Sequence, residues 1–155
     1  MRWQIMDKEL IAQASENLNL SDIVLYGSSF KQFADSHDYV KLGQQNKLAV
    51  RAEIGEAVNS ENSPVNFFRV FVDLGIRVND LSNQDAEPQL LYQIEATFRI
   101  DYELKSNVDE KALTVFAHFN AVHNIWPFWR QFVFSTTNQA HLPCPEIPLK
   151  KIQAD

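Results

Sequence analysis

The sequence predicts an α+β fold: a four-stranded antiparallel sheet with two C-terminal helices on one face and a short N-terminal helix. Three observations predict it. Two long stretches, residues 68–78 and 92–104, alternate apolar and polar side chains at period two. That pattern marks antiparallel strands with one face buried and one wet. Behind them, from residue 107 to 134, apolar residues recur at helical spacing after a capping signal. The elements also run helix, four strands, two helices, and a run of strands followed by helices is the α+β order.

Taken in turn, Leu10, Ile11, Ala14 and Leu18 place a short helix over Asp7 to Leu18, with Asp7 as its cap. Leu18 to Phe30 is β-rich but alternates poorly. A polar connection, Ala34 to Asn46, leads to a second strand in which Leu48, Val50, Ala52 and Ile54 face inward. The third buries Phe68, Val70, Val72, Leu74, Ile76 and Val78. The fourth buries Tyr92, Ile94, Ala96, Phe98, Ile100, Tyr102 and Leu104. Asn59–Pro64 and Asn79–Pro88 read as hairpin connections. Asn107-Val108-Asp109-Glu110 reads as a capping box for a helix carrying Ala112, Leu113, Val115, Phe116 and Phe119 on one side. Asn124 reads as the cap of the last helix, with Pro127 in its first turn. The prolines at 143, 145 and 148 forbid helix, so the chain after Thr137 lies extended with Leu142, Ile147 and Leu149 facing in. Lys150–Asp155 reads as a frayed terminus.

At 155 residues this is one domain, 1–155, with enough chain to bury a core. Lys+Arg number 14 against 20 Asp+Glu, and no basic cluster occurs. Phosphate-backbone binding therefore has no electrostatic footprint, and nucleic acid is not an expected partner. No apolar run is long enough for a secretory h-region or a membrane span, so membrane insertion is not expected. Cys144 is the only cysteine, which fits a reducing cytoplasm. The glycines at 27, 43, 55 and 75 are scattered and form no phosphate-cradling loop.

Candidate catalytic groups are sparse. His141 and Cys144 supply two soft ligands without a second pair, short of closed zinc coordination, so no metal is expected. His118 and His123 have nothing to orient them toward Cys144. Glu95, Asp101 and Glu103 beside Arg99 read as a solvated strand face with cross-strand charge pairs. No cofactor is expected, and the chain does not read as an enzyme.

Apolar surface is the more informative signal. Val122, Ile125, Trp126, Phe128, Trp129, Phe132 and Val133 span roughly 160° of a helical wheel, wider than the stripe an amphipathic helix needs. Phe134 falls on its polar side. Phe67 and Phe71 fall on the nominally wet face of the third strand. Phe67, Phe71 and Phe134 are thus candidates for an oligomer interface or other apolar surface. Binding of a small apolar ligand between helix and sheet is the alternative, and it needs an enclosed cavity.

The run Asn120-Ala121-Val122-His123-Asn124-Ile125-Trp126-Pro127-Phe128-Trp129-Arg130-Gln131-Phe132, with Ser135-Thr136-Thr137 and Leu142-Pro143-Cys144-Pro145-Glu146-Ile147-Pro148 after it, resembles the SecB protein-export chaperone family. It is most similar to the SecB-like branch that includes chaperones attached to toxin–antitoxin systems, and the resemblance covers roughly Leu18 to Leu149. It implies a cytoplasmic, ATP-independent holdase for unfolded polypeptides or preproteins, assembled as a homotetramer, a dimer of dimers. It also implies a client groove in which Ile125, Trp126 and Phe128 are groove or helix-packing residues and Tyr39, Val40 and Leu42 line a crossover connection. Export members dock on the SecA motor through acidic residues. Asp22 matches one such position, whereas Tyr26 and Gln93 stand where acids are expected. An antitoxin is the other partner that the resemblance implies.

Overall fold

A computed structural model describes residues 2–34, 41–83 and 85–148, with side chains from Lys8 onward. The elements are α1 (Arg2–Asn17), β1 (Leu18–Gln32), β2 (Leu42–Val58), β3 (Pro64–Asp80), β4 (Gln89–Leu104), α2 (Glu110–Phe116), a π turn (Ala117–Ala121) and α3 (Val122–Gln139). The strands form one sheet in the order β1-β4-β3-β2. β3 and β4 are therefore central, while β1 and β2, consecutive in sequence, are the two edges. Among the described residues no helix is long and apolar enough to cross a membrane.

The pairing is antiparallel. Lys105 N–H donates to the Asn17 carbonyl (2.9 Å) and Phe33 N–H to that of Leu91 (2.7 Å), which sets β1 against β4. Asn59 N–H to the Ser63 carbonyl (3.0 Å) and Leu81 N–H to that of Lys41 (2.9 Å) set β2 against β3. The β2–β3 hairpin turns on Asn59, whose Oδ1 accepts from the N–H groups of Glu61 and Ser63, both at 2.9 Å. Asn62 takes the left-handed φ of 60° that asparagine tolerates.

The chain forms two compact units, each holding a length of every strand. The first is Met1–Val24, Val50–Val72 and Phe98–Ile125. Its core joins Phe68, Val70, Phe98 and Ile100 to Leu113, Val122 and Ile125, all buried. Tyr102 meets Phe116 edge to face at 4.9 Å. α1 packs on α2, and Asn17 ties the end of α1 to Lys105 and Ser106. The second unit is Leu25–Ala49, Asp73–Thr97 and Trp126–Asp155. Its core is Leu74, Ile76, Val78, Tyr92 and Ile94 with Trp129, Val133 and Leu142.

Local structure departs from expectation at several places. α1 starts at Arg2, so Asp7 lies within it rather than at its N-terminus. β2 starts at Leu42, inside the segment expected to be a polar connection, because ladder partners such as Leu81 recruit polar residues into an edge strand. The helix cap at residue 109 belongs to Asp109, whose carboxylate accepts from Lys111 N–H at 3.2 Å, rather than to Asn107. α2 and α3 are joined without a break: Phe116 and Val122 on either side of the π turn keep αR dihedrals. Asn124 is consequently inside α3 and Pro127 is beyond the first turn. Both Pro127 and His123 are exposed, so water can serve the His123 carbonyl that the proline leaves unbonded.

The π turn has a packing reason. Buried residues recur every four positions through Leu113, Ala117, Ala121, Ile125, Trp129, Val133 and Thr137. An ideal α-helix drifts about 40° per four-residue step. The wider i→i+5 turn takes up part of that drift. It also rephases the helix, leaving Phe119 exposed where an unbroken stripe would bury it.

Candidate functional site

Two kinds of apolar surface stand out. The first is on the edges. β3 and β4 bury the alternating residues expected of them, but on β2 Ile54 is 59% exposed and Leu48 is exposed as well. Expected to face a core, they are only partly covered: Leu48 borders an open cleft beside Trp126 and Trp129, and Ile54 another beside Leu113 of α2. On β1, Leu20, Leu25, Tyr26 and Phe30 are exposed, and Phe33 follows them. Long, apolar, open edges template pairing with another chain unless something occupies them.

The second surface lies within the second unit, where the extended segment after α3 crosses the helix and β2. α3 closes in a Schellman motif: His141 N–H donates to the Asn138 carbonyl (3.2 Å) and Leu142 N–H to that of Thr137 (3.0 Å). His141 holds the left-handed φ of 55° at the C′ position, and Leu142 is buried behind it. His141 is therefore a helix terminus, and Cys144 two residues past Leu142 is exposed. Among the described residues no three His, Cys, Asp or Glu side chains group as metal ligands.

Residues 143–148 are held by side chains acting on their main chain. Tyr92 Oη donates to the Pro143 carbonyl (2.7 Å), Arg130 Nε to Ile147 (3.1 Å) and Trp126 Nε1 to Pro148 (2.8 Å). Gln44 makes a paired contact: its Nε2 donates to the Glu146 carbonyl (2.9 Å) and its Oε1 accepts from Glu146 N–H (3.1 Å). Along one side runs an open cleft of about 270 Å³ lined by Leu48, Leu74, Ile76, Trp126, Trp129 and Ile147.

The residues singled out in the sequence fall in different places. Trp126 is half-buried in that cleft, Phe128 is 50% exposed on α3, and Ile125 is fully buried in the core of the first unit. Leu42 is the first residue of β2 and half-buried, while Tyr39 and Val40 lie outside the described residues, as does Leu149. Phe134 is 57% exposed on α3. Phe71 is only 9% exposed, with the Arg51 guanidinium 4.2 Å above its ring. Phe67 is half-buried against Gly55 with Arg69 at 4.9 Å, and Arg69 also pairs with Asp101 through two bonds of 2.7 and 3.1 Å. Asp22 is exposed near the start of β1, 3.9 Å from Arg99. Gln44, Tyr92 and Arg130 carried no sequence signal of a role. Only the extended, proline-rich character of 143–148 hinted that its carbonyls need donors from elsewhere.

Among the described residues one titrating group is clearly perturbed. Burial pushes the Tyr102 phenol up to about 12, although the Asn124 amide, which donates to its oxygen at 2.8 Å, pulls the other way.

No protein-family model and no curated protein matches the sequence. The architecture, a β1-β4-β3-β2 antiparallel sheet with an N-terminal helix and a long C-terminal helix, is the SecB-like fold. Among solved structures the chain is similar to the Mycobacterium tuberculosis SecB-like chaperone Rv1957, determined in complex with a ChAD peptide from the Rv1956 HigA1 antitoxin. The two share 14% sequence identity at a TM-score of 0.68, over 94% of this chain and 99% of that one.

Proposed function

We propose that this protein is an ATP-independent holdase chaperone that binds unfolded polypeptides through apolar surface and acts by binding alone. The observation that carries this reading is the set of uncovered apolar side chains on both edge strands and on α3, in a chain with the SecB-like fold. Burial against apolar surface carries no sequence code, and open strand edges add main-chain hydrogen bonds to an extended client. Trp126, Phe128 and Leu42 line the client groove, and Ile125 is a packing residue of α3. The protein works in the cytoplasm as a homotetramer, a dimer of dimers, in which Phe67 and Phe134 meet other subunits and Phe71 backs that surface from beneath Arg51. Two uses fall within this reading: handing preproteins to export, with Asp22 as a contact for the SecA motor, and protecting one dedicated client such as an antitoxin. The antitoxin peptide bound by the mycobacterial neighbour supports the second.

The test is dilution of a chemically unfolded protein into buffer with a stoichiometric amount of this protein and no ATP. Aggregation is expected to be suppressed, with the complex surviving gel filtration. Phe128→Ala is expected to weaken suppression severalfold while leaving the circular dichroism spectrum intact. No suppression, and no complex with any unfolded chain, would remove the holdase reading.

A further inference from the structure

We infer that the track holding residues 143–148 is a binding site for extended polypeptide main chain, and that this segment is its built-in occupant, displaced when a client binds. The inference rests on the holdase reading above. The bonds that Gln44, Tyr92, Arg130 and Trp126 make to the segment go to main-chain atoms: the carbonyls of Pro143, Glu146, Ile147 and Pro148, and the N–H of Glu146. These bonds depend on no side chain of the segment. A stretch of almost any sequence can offer the same carbonyls at the same spacing. Gln44 in particular presents a donor and an acceptor together, as a neighbouring strand would.

The segment is a weak occupant of this track. Prolines at 143, 145 and 148 leave it only the N–H groups of Cys144, Glu146 and Ile147. It also covers the track without filling it. The apolar cleft of about 270 Å³ opens on one side, and a second of about 340 Å³, between Pro127, Gln131 and Phe134 on α3 and Cys144 and Pro145, opens on the other. Removing the segment would join these into one trench floored by Leu48, Leu74 and Ile76 and walled by the two tryptophans. The extended client takes the segment's hydrogen bonds and places apolar side chains in the flanking clefts. α3 does not depend on the segment for its terminus, because the Schellman motif is complete at Leu142.

The experiment compares the full chain with one ending at Leu142, using reduced and carboxymethylated lactalbumin as a permanently unfolded probe. Binding by the shortened chain is expected to be about tenfold tighter, since its track is always vacant. Gln44→Ala in the shortened chain is expected to weaken binding by about fivefold through loss of two main-chain hydrogen bonds. In the full chain, amide exchange at Cys144, Glu146 and Ile147 is expected to quicken when the probe binds, and this readout decides the matter alone if the shortened chain does not fold. Equal binding by both chains, or exchange that is unchanged or slower with probe, overturns the inference and leaves the holdase reading standing. Failure of both chains to bind the probe removes the two together.

Discussion

The two central strands and the two edge strands are of similar length and similarly rich in apolar residues, yet they behave differently. On β3 and β4 alternation translates directly into burial: Val70, Val72, Ile94 and Ile100 are fully enclosed, and even Phe71 on the opposite face is shielded by Arg51. On β1 and β2 many residues of the same kinds, among them Leu20, Leu25, Leu48, Ile54 and Val58, stay in solvent. Pattern determines which residues share a face, but position in the sheet determines whether that face is covered. Among the described residues, apolar side chains on both edge strands, Leu20, Leu25 and Ile54 among them, stay open to solvent.

The sharpest way to test that contrast is a matched pair of truncations. Ile94→Ala on β4 is expected to cost about 3–5 kcal/mol in urea denaturation, because it empties an enclosed site. Ile54→Ala on β2, measured at a concentration where the chain is monomeric, is expected to change stability by less than about 0.5 kcal/mol. Comparable costs would mean that the β2 edge is covered within the single chain.

Next in size is an alkaline effect confined to the centre. Tyr102 titrates near 10 when unfolded and at about 12 when folded, so the folded state keeps a proton that the unfolded state loses. Its contribution is fully present below pH 10 and falls away as pH rises toward 12. The loss is expected to approach about 2–3 kcal/mol, and the Tyr102→Phe variant should lack it. A pH profile of the urea midpoint for the two proteins checks this.

The smallest effect tests where an edge strand meets the centre. A Cβ at Gly55 would run into the Phe67 ring, the side chain held beneath Arg69. Gly55→Ala is expected to cost about 1–3 kcal/mol through overpacking, read from thermal unfolding followed by circular dichroism. A neutral or stabilising result would mean that Phe67 swings clear freely, and that β2 is less firmly fixed to β3 than the ring contacts indicate.

Much of the fold was legible in the sequence. The alternation of 68–78 and 92–104 placed β3 and β4, and the prolines placed the extended segment after Leu142. These are local consequences of side-chain period and of a missing N–H, which any stretch of chain carries with it. The site was less legible. Trp126 and Phe128 could be marked as conspicuous, but Gln44, Tyr92 and Arg130 acquire their role only when elements far apart in sequence bring them beside residues 143–148. The same holds for Asn124, which reads locally as a cap and is instead the partner of a buried Tyr102. The exposure of Ile54 and Leu48 likewise follows from strand order. By itself, then, the sequence determined periodicity, turns and the surplus of apolar surface, because those follow from near neighbours. Tertiary structure alone decided which apolar faces stay open and which side chains hold the C-terminal segment, because burial and hydrogen-bond pairing depend on what the rest of the chain brings alongside.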